Sequence, residues 1–139
     1  MLASPIREKS FALAVRIVNM CKHLKSQKQE YEMSKQILRS GTSPGANVRE
    51  AQNAESAADF VHKLGIAQKE TAETIYWLDL LCATNYLGET EYQSLQKDAD
   101  ELLRMIRSAI LTKKKNMVMK AFLIIGIISS AGYLVSNFI

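Results

Sequence analysis

Ser40-Gly41-Thr42-Ser43-Pro44-Gly45-Ala46-Asn47-Val48-Arg49-Glu50-Ala51 is the stretch on which the fold turns. It sets two glycines, a proline and an Asn-x-x-Glu pair inside a chain that otherwise follows helical periodicity. Local propensity breaks the chain here. A proline within a helix loses a hydrogen bond and crowds the preceding turn, at a cost of about 3 kcal/mol. On that reading two short helices flank a loop. On the other reading one helix runs through, kinked near residues 40–44, and its small residues let a neighbouring helix come close. Gly41 and Gly45 have the spacing of a helix-packing pair, with no preceding strand to make them a phosphate-cradling loop. Asn47 and Glu50, three apart, share one helix face.

The flanks read as four amphipathic helices. In the first, Ser4 is placed as N-cap with Pro5 at the first helical position. Phe11, Ala14, Val15, Val18, Cys21 and Leu24 then form its apolar stripe. The polar run at residues 26–30 is the first connection. A second helix from about Tyr31 buries Met33, Ile37, Gly41 or Leu38, Pro44 or Gly45, and Val48. Ser56 and Asp59 open a third as a variant capping box. Its stripe is Phe60, Leu64, Ala67, Thr71, Thr74 or Ile75, Leu78, and Leu81 or Cys82, and it stops at Leu87-Gly88, with glycine in the left-handed position. Thr90-x-x-Gln93 caps a fourth, which carries Leu95, Ala99, Leu102, Ile106, Ala109 and Ile110. The expected fold is all-α: an up-down-up-down four-helix bundle over residues 1–116, with an additional C-terminal apolar helix over 117–139.

Residues 40–51 resemble the Ser-Ile-Pro-x-Asn-Ile-Ala-Glu-Gly signature of the bacterial 23S rRNA intervening-sequence family, four-helix-bundle proteins related to the accessory proteins of diversity-generating retroelements. The likeness continues through Phe60-Val61-x-x-Leu64-Gly65-Ile66-Ala67, the Glu73 region, and Asn85-Tyr86-Leu87-Gly88-Glu89-Thr90-Glu91-Tyr92. It implies that the second helix passes unbroken through Pro44. It also implies that Gly41, Pro44, Gly45, Asn47 and Glu50 serve helix or subunit contacts. A homopentamer with a basic surface that engages nucleic acid and a protein partner is implied by the retroelement relatives. Two positions depart from the signature: Ala51 stands for the usual glycine, and Arg49 for a small residue.

The tail stands apart. After Lys113-Lys114-Lys115 and Lys120, residues 121–139 hold no charge. As a helix they would measure roughly 28 Å, near the hydrocarbon thickness of a bilayer. Gly126 and Ser130 make a small-x-x-x-small pair suited to helix contact in lipid. The expectation is a C-terminal anchor holding a cytoplasmic bundle at the inner membrane, with lysines on the cytoplasmic flank. The alternatives are a buried extension of the fourth helix within an oligomer and a non-native C-terminus.

Charge is segregated along the chain. Residues 1–49 hold nine Lys/Arg against three acids, residues 50–101 three against eleven, and residues 102–139 six against none. Either neighbouring helices neutralise one another, or basic and acidic faces are open to nucleic acid or a second subunit. Arg16, Lys22, Lys25, Lys35, Arg39 and Arg49 are the candidate nucleic-acid-binding residues. With few aromatics among them, the binding expected is sequence-tolerant and salt-sensitive.

No catalytic constellation is present. A di-iron bundle needs paired Glu-x-x-His motifs. The chain offers only Asp59-x-x-His62, and His23 lacks an acid three residues earlier. No metal, cofactor or enzymatic activity is expected. Cys21 and Cys82 read as two buried thiols in a reducing cytoplasm. Arg7 and Lys9 precede too short an apolar run for a signal peptide. Of Tyr76 and Trp77, adjacent on one helix, one faces the core and the other an interface, with Trp77 favoured for the core.

Overall fold

A computed structural model describes the backbone of residues 4–136 and the side chains of residues 4–127. Four helices follow one another: α1 Pro5–Lys28, α2 Glu32–Gln52, α3 Ala57–Ala83 and α4 Glu89–Ser136. Each packs against its chain neighbours, and α1 closes the ring against α4.

α2 is continuous through Pro44, as the family resemblance implied and local propensity did not. Its burial repays the lost hydrogen bond. Ser40, Gly41, Pro44 and Val48 are all buried on the face toward α1 and α3. A Cβ at Gly41 would stand 2.8 Å from Ile17 Cγ2, so only glycine lets α1 lie this close. Thr74 of α3 closes the other side by donating its hydroxyl to Ser40 Oγ at 3.1 Å.

α1 buries the last two residues of its expected stripe, Cys21 and Leu24, but turns a different face inward over its first half. Leu13, Ile17, Met20, Cys21 and Leu24 are buried, whereas Phe11 and Val15 are 55% and 43% exposed. Apolar residues cover most of the circumference over residues 11–18, so periodicity alone cannot choose the inner face. The contact of Ile17 with Gly41 chooses it.

The helix ends explain the rest of the topology. Ser4 stands at the α1 N-cap without a side-chain bond. Gln29, in left-handed conformation at φ 53°, ends α1. Glu30, taken from sequence for part of a polar connection, is 6% exposed and acts as the cap of α2. Its Oε1 accepts from Met33 N at 2.8 Å and its Oε2 from Ser34 N at 2.7 Å. Ser56 Oγ accepts from Asp59 N, as the capping box predicts. At the third turn the prediction shifts. α3 ends at Ala83, and Asn85 rather than Gly88 takes positive φ, while Tyr86 N and Leu87 N both donate to Leu81 O. α4 starts at Glu89, whose carboxylate accepts from Gln93 Nε2, so Thr90 is not its cap.

The stripes of α3 and α4 match expectation closely. Leu64, Ala67, Thr71, Thr74, Leu78, Leu81, Leu95, Ala99, Leu102, Ile106 and Ile110 are buried. Cys21 is buried but Cys82 only partly so. Trp77 packs partly buried against the core, and Tyr76 is exposed.

The fourth helix and the apolar tail are one helix, unbroken at the lysine cluster. At 48 residues it is about 72 Å long. From Leu111 to Ile127 its large apolar side chains are exposed, so it projects beyond the bundle. Among the described residues no helix is long and apolar enough to cross a membrane. The span expected over 121–139 runs past Ile127, and that part lies outside the described side chains.

Candidate interaction surface

The bundle is stapled at two seams by ion pairs. Between α1 and α4, Lys9 Nζ lies 3.0 Å from Asp98 Oδ1 and 2.6 Å from Glu101 Oε2. Arg16 pairs with Asp98 and also donates to the carbonyl and hydroxyl of Ser94. Between α2 and α3, Arg39 reaches Glu73 at 2.7 Å and Glu70 at 3.7 Å, and Lys63 reaches Glu50 at 2.7 Å. Glu73 also accepts from Trp77 Nε1. Part of the charge segregation is therefore neutralised inside the subunit, through Lys9, Arg16 and Arg39.

The six candidate basic residues do not form one stripe. Arg16 is committed to α4 and Arg39 to α3. Lys22 and Lys25 lie in the last turns of α1 and Lys35 in the first turn of α2, at the end of the bundle that holds the α1–α2 connection. Among the described residues none of these three makes an ion pair. Arg49 lies at the other end of α2, its guanidinium carbon 5.3 Å from the Phe11 ring centroid.

Arg49 and Phe11 border an apolar groove of about 390 Å³ along the α1–α2 seam. Val15 and Val18 form one wall, with Gly45 and Ala46 opposite. The groove holds Phe11, Ala14, Val15 and Val18, the first part of the α1 stripe expected in the core. Gly45 contributes by being small: a Cβ there would come no nearer than 3.6 Å to Ser10 O, an ordinary contact.

Asn47 and Glu50 separate in role. Asn47 Nδ2 donates to Ser43 O at 3.0 Å and Ser43 Oγ at 3.1 Å, so it serves its own helix. Glu50 ties α2 to α3 through Lys63.

A polar pocket at the turn end of the bundle brings His23 and Cys82 to one lining, a juxtaposition not evident from their positions in sequence. The thiol is not activated. Burial pushes Cys82 up from its ordinary value, and the Glu89 carboxylate that accepts its S–H pushes the same way. A nucleophilic cysteine needs the opposite, a cationic neighbour that favours thiolate. Among the described residues no group of three or more His, Cys, Asp or Glu could hold a metal ion.

The signature in α2, threaded whole through a packed helix, agrees with the comparison of sequences: the profile of the 23S rRNA-intervening sequence proteins matches residues 4–108. The chain belongs to that family. Its bundle is similar to a crystal structure from Bacteroides thetaiotaomicron, described as a protein with unknown function from the S23 ribosomal protein family. The two share 51% identity and a TM-score of 0.75, over 76% of this chain and 97% of the other. No curated protein matches the chain. The family region ends near the last buried turn of α4, so the projecting part of that helix lies beyond it.

Proposed function

We propose that this family member is a non-enzymatic accessory protein, a bundle that self-associates and binds nucleic acid through cations left free at the α1–α2 turn. The observation that carries the reading is the division among the basic residues. Arg16 and Arg39 are spent on internal carboxylates, whereas Lys22, Lys25 and Lys35, on the two helix ends that flank the α1–α2 connection, have none among the described residues. Lysines without an internal partner are the groups that phosphates can engage with release of counterions. No aromatic platform accompanies them, so recognition is by charge and shape rather than by base. The family's association with rRNA and the resemblance to retroelement accessory proteins favour structured RNA or a nucleoprotein as target. A pentamer is the assembly proposed from that same resemblance.

Fluorescence anisotropy of the full chain with a labelled RNA stem-loop and a DNA duplex, at low and moderate salt, tests this reading. Binding that weakens steeply with salt supports it. No binding at low salt, where attraction is strongest, removes nucleic acid from the function.

A second reading is favoured by the projecting part of α4. Its exposed Phe122, Leu123, Ile124 and Ile125 follow a root of four lysines. There the bundle is a protein-interaction scaffold and α4 a tether to an anionic membrane surface. Flotation of the full chain with anionic vesicles, and none with neutral ones, would support the tether. Absence of flotation with either would remove it.

A further inference from the structure

We infer that the α1–α2 groove is the seat of a second copy of this chain, whose α3 enters it with Tyr76. The inference rests on the self-association proposed above and names the two surfaces that carry it.

Three observations converge. The groove is apolar and open, with Phe11 and Val15 largely exposed at its rim although the bundle core is well filled without them. Contiguous apolar surface of this kind on a soluble domain marks an interaction site. Next, the α1–α2 seam differs from the α1–α4 and α2–α3 seams in lacking an ion pair among the described residues. Arg49 at its edge contacts an aromatic ring and no carboxylate. The groove therefore suits an apolar group with acidic neighbours.

The chain supplies such a group. Residues 50–101 are its acidic part, and there Tyr76 is the one large apolar side chain exposed among the described residues. The Tyr76 ring is set edge-on against Trp77, centroids 5.0 Å apart, which limits its freedom before contact. Asp79 lies three residues further along the same helix face, accepting from the Tyr92 hydroxyl and paired with no cation among the described residues, whereas Glu73 is held by Arg39 and Trp77. An aromatic knob beside an unpaired carboxylate complements an apolar groove with a cationic edge. Groove against groove would instead bring two cationic edges into one contact with no carboxylate in the lining to answer them. The groove opens on the α1–α2 side of the ring of helices, whereas Tyr76 stands on α3, diagonal to α1, so the contact is head-to-tail and propagates until a ring closes.

Disulfide trapping in the full chain tests the pairing. Cys82→Ser removes the accessible native thiol, and Val15→Cys and Tyr76→Cys are added singly and together at exposed positions. After oxidation with copper phenanthroline, the double variant should give a ladder of linked species beyond the dimer on a non-reducing gel. Each single variant should stay monomeric. A discrete dimer from Val15→Cys alone would overturn the head-to-tail pairing in favour of a groove-to-groove contact. No ladder from the double variant, with light scattering showing an oligomer, would assign self-association to another face. A monomer by light scattering of the unsubstituted full chain would overturn the self-association reading itself. Val15→Glu, which needs no oxidation, should lower the mass by light scattering, and an unchanged oligomer would count against the groove.

Discussion

Ile17 of α1 lies over Gly41 of α2 so closely that a methyl group on position 41 would stand 2.8 Å from Cγ2 and 2.9 Å from Cγ1 of the isoleucine. Ile17 is fully buried and stiff at χ1, so it has no free direction in which to yield. Gly41→Ala gains about 1 kcal/mol of helix propensity, but overpacking costs about 1–3 kcal/mol. We expect a net loss, seen as a lower urea midpoint. At Gly45 the nearest atom is 3.6 Å away, so Gly45→Ala should leave the midpoint unchanged or raise it. Equal effects at the two glycines would contradict this packing.

Acid should loosen the start of α2. Burial pushes the Glu30 carboxyl up, but hydrogen bonds from Met33 N, Ser34 Oγ and Ser34 N outweigh it and hold the carboxyl below its ordinary 4.5. Asp98, raised by burial and lowered more by Arg16 and Lys9, sits below its ordinary 3.8. A depressed carboxylate contributes stability fully present above its unfolded value and lost as pH falls through the folded one. The window is therefore below about pH 4.5 for Glu30 and lower still for Asp98. Glu30→Gln should lower stability at pH 7 by about 1–2 kcal/mol, and the gap to the wild type should narrow by pH 3. A gap independent of pH would show that the carboxylate charge does not stabilise the cap.

The two thiols should differ in access and agree in sluggishness. Burial raises Cys21 to about 11. Its Sγ also donates to Ser34 O at 3.4 Å inside the α1–α2 contact. With an alkylating reagent at pH 8, Cys82 should react more slowly than a free thiol, and Cys21 only after denaturation. Rapid labelling of Cys21 in the native protein would show that this contact opens readily.

α3 and α4 were legible because their apolar residues recur at helical spacing over several turns, even though residues 75–82 of α3 are apolar on most sides. Leu64, Leu78, Leu95 and Ile106 fall on a single stripe, and burial follows it. For α1 the same rule held at Cys21 and Leu24 but failed over residues 11–18, where Phe11, Leu13, Val15 and Ile17 surround the helix and only α2 decides among them. Glu30 was hidden for another reason. A charged residue in a polar run reads as loop until the N–H groups it caps are seen. Asn85 took the left-handed turn expected of Gly88, which asparagine tolerates through its short polar side chain. The basic candidates were recognised as residues but not sorted. Sorting requires knowing that Asp98 faces Arg16 and Glu73 faces Arg39.

That sorting has a direct consequence for binding. Reversing Arg39 to Glu should disturb the α2–α3 seam, whose exposed ion pairs are each worth about 0–1 kcal/mol, and leave nucleic-acid affinity nearly unchanged. The most direct measurement is the slope of log affinity against log salt for a duplex, in the full chain and in the Lys22→Glu, Lys25→Glu, Lys35→Glu variant. Every phosphate that a lysine no longer neutralises should reduce the slope by about 0.9, so the triple variant should bind more weakly, with a slope shallower by about 2.7. An unchanged slope in the triple variant, or an equal drop in affinity from Arg39→Glu, would contradict a binding surface at the α1–α2 turn.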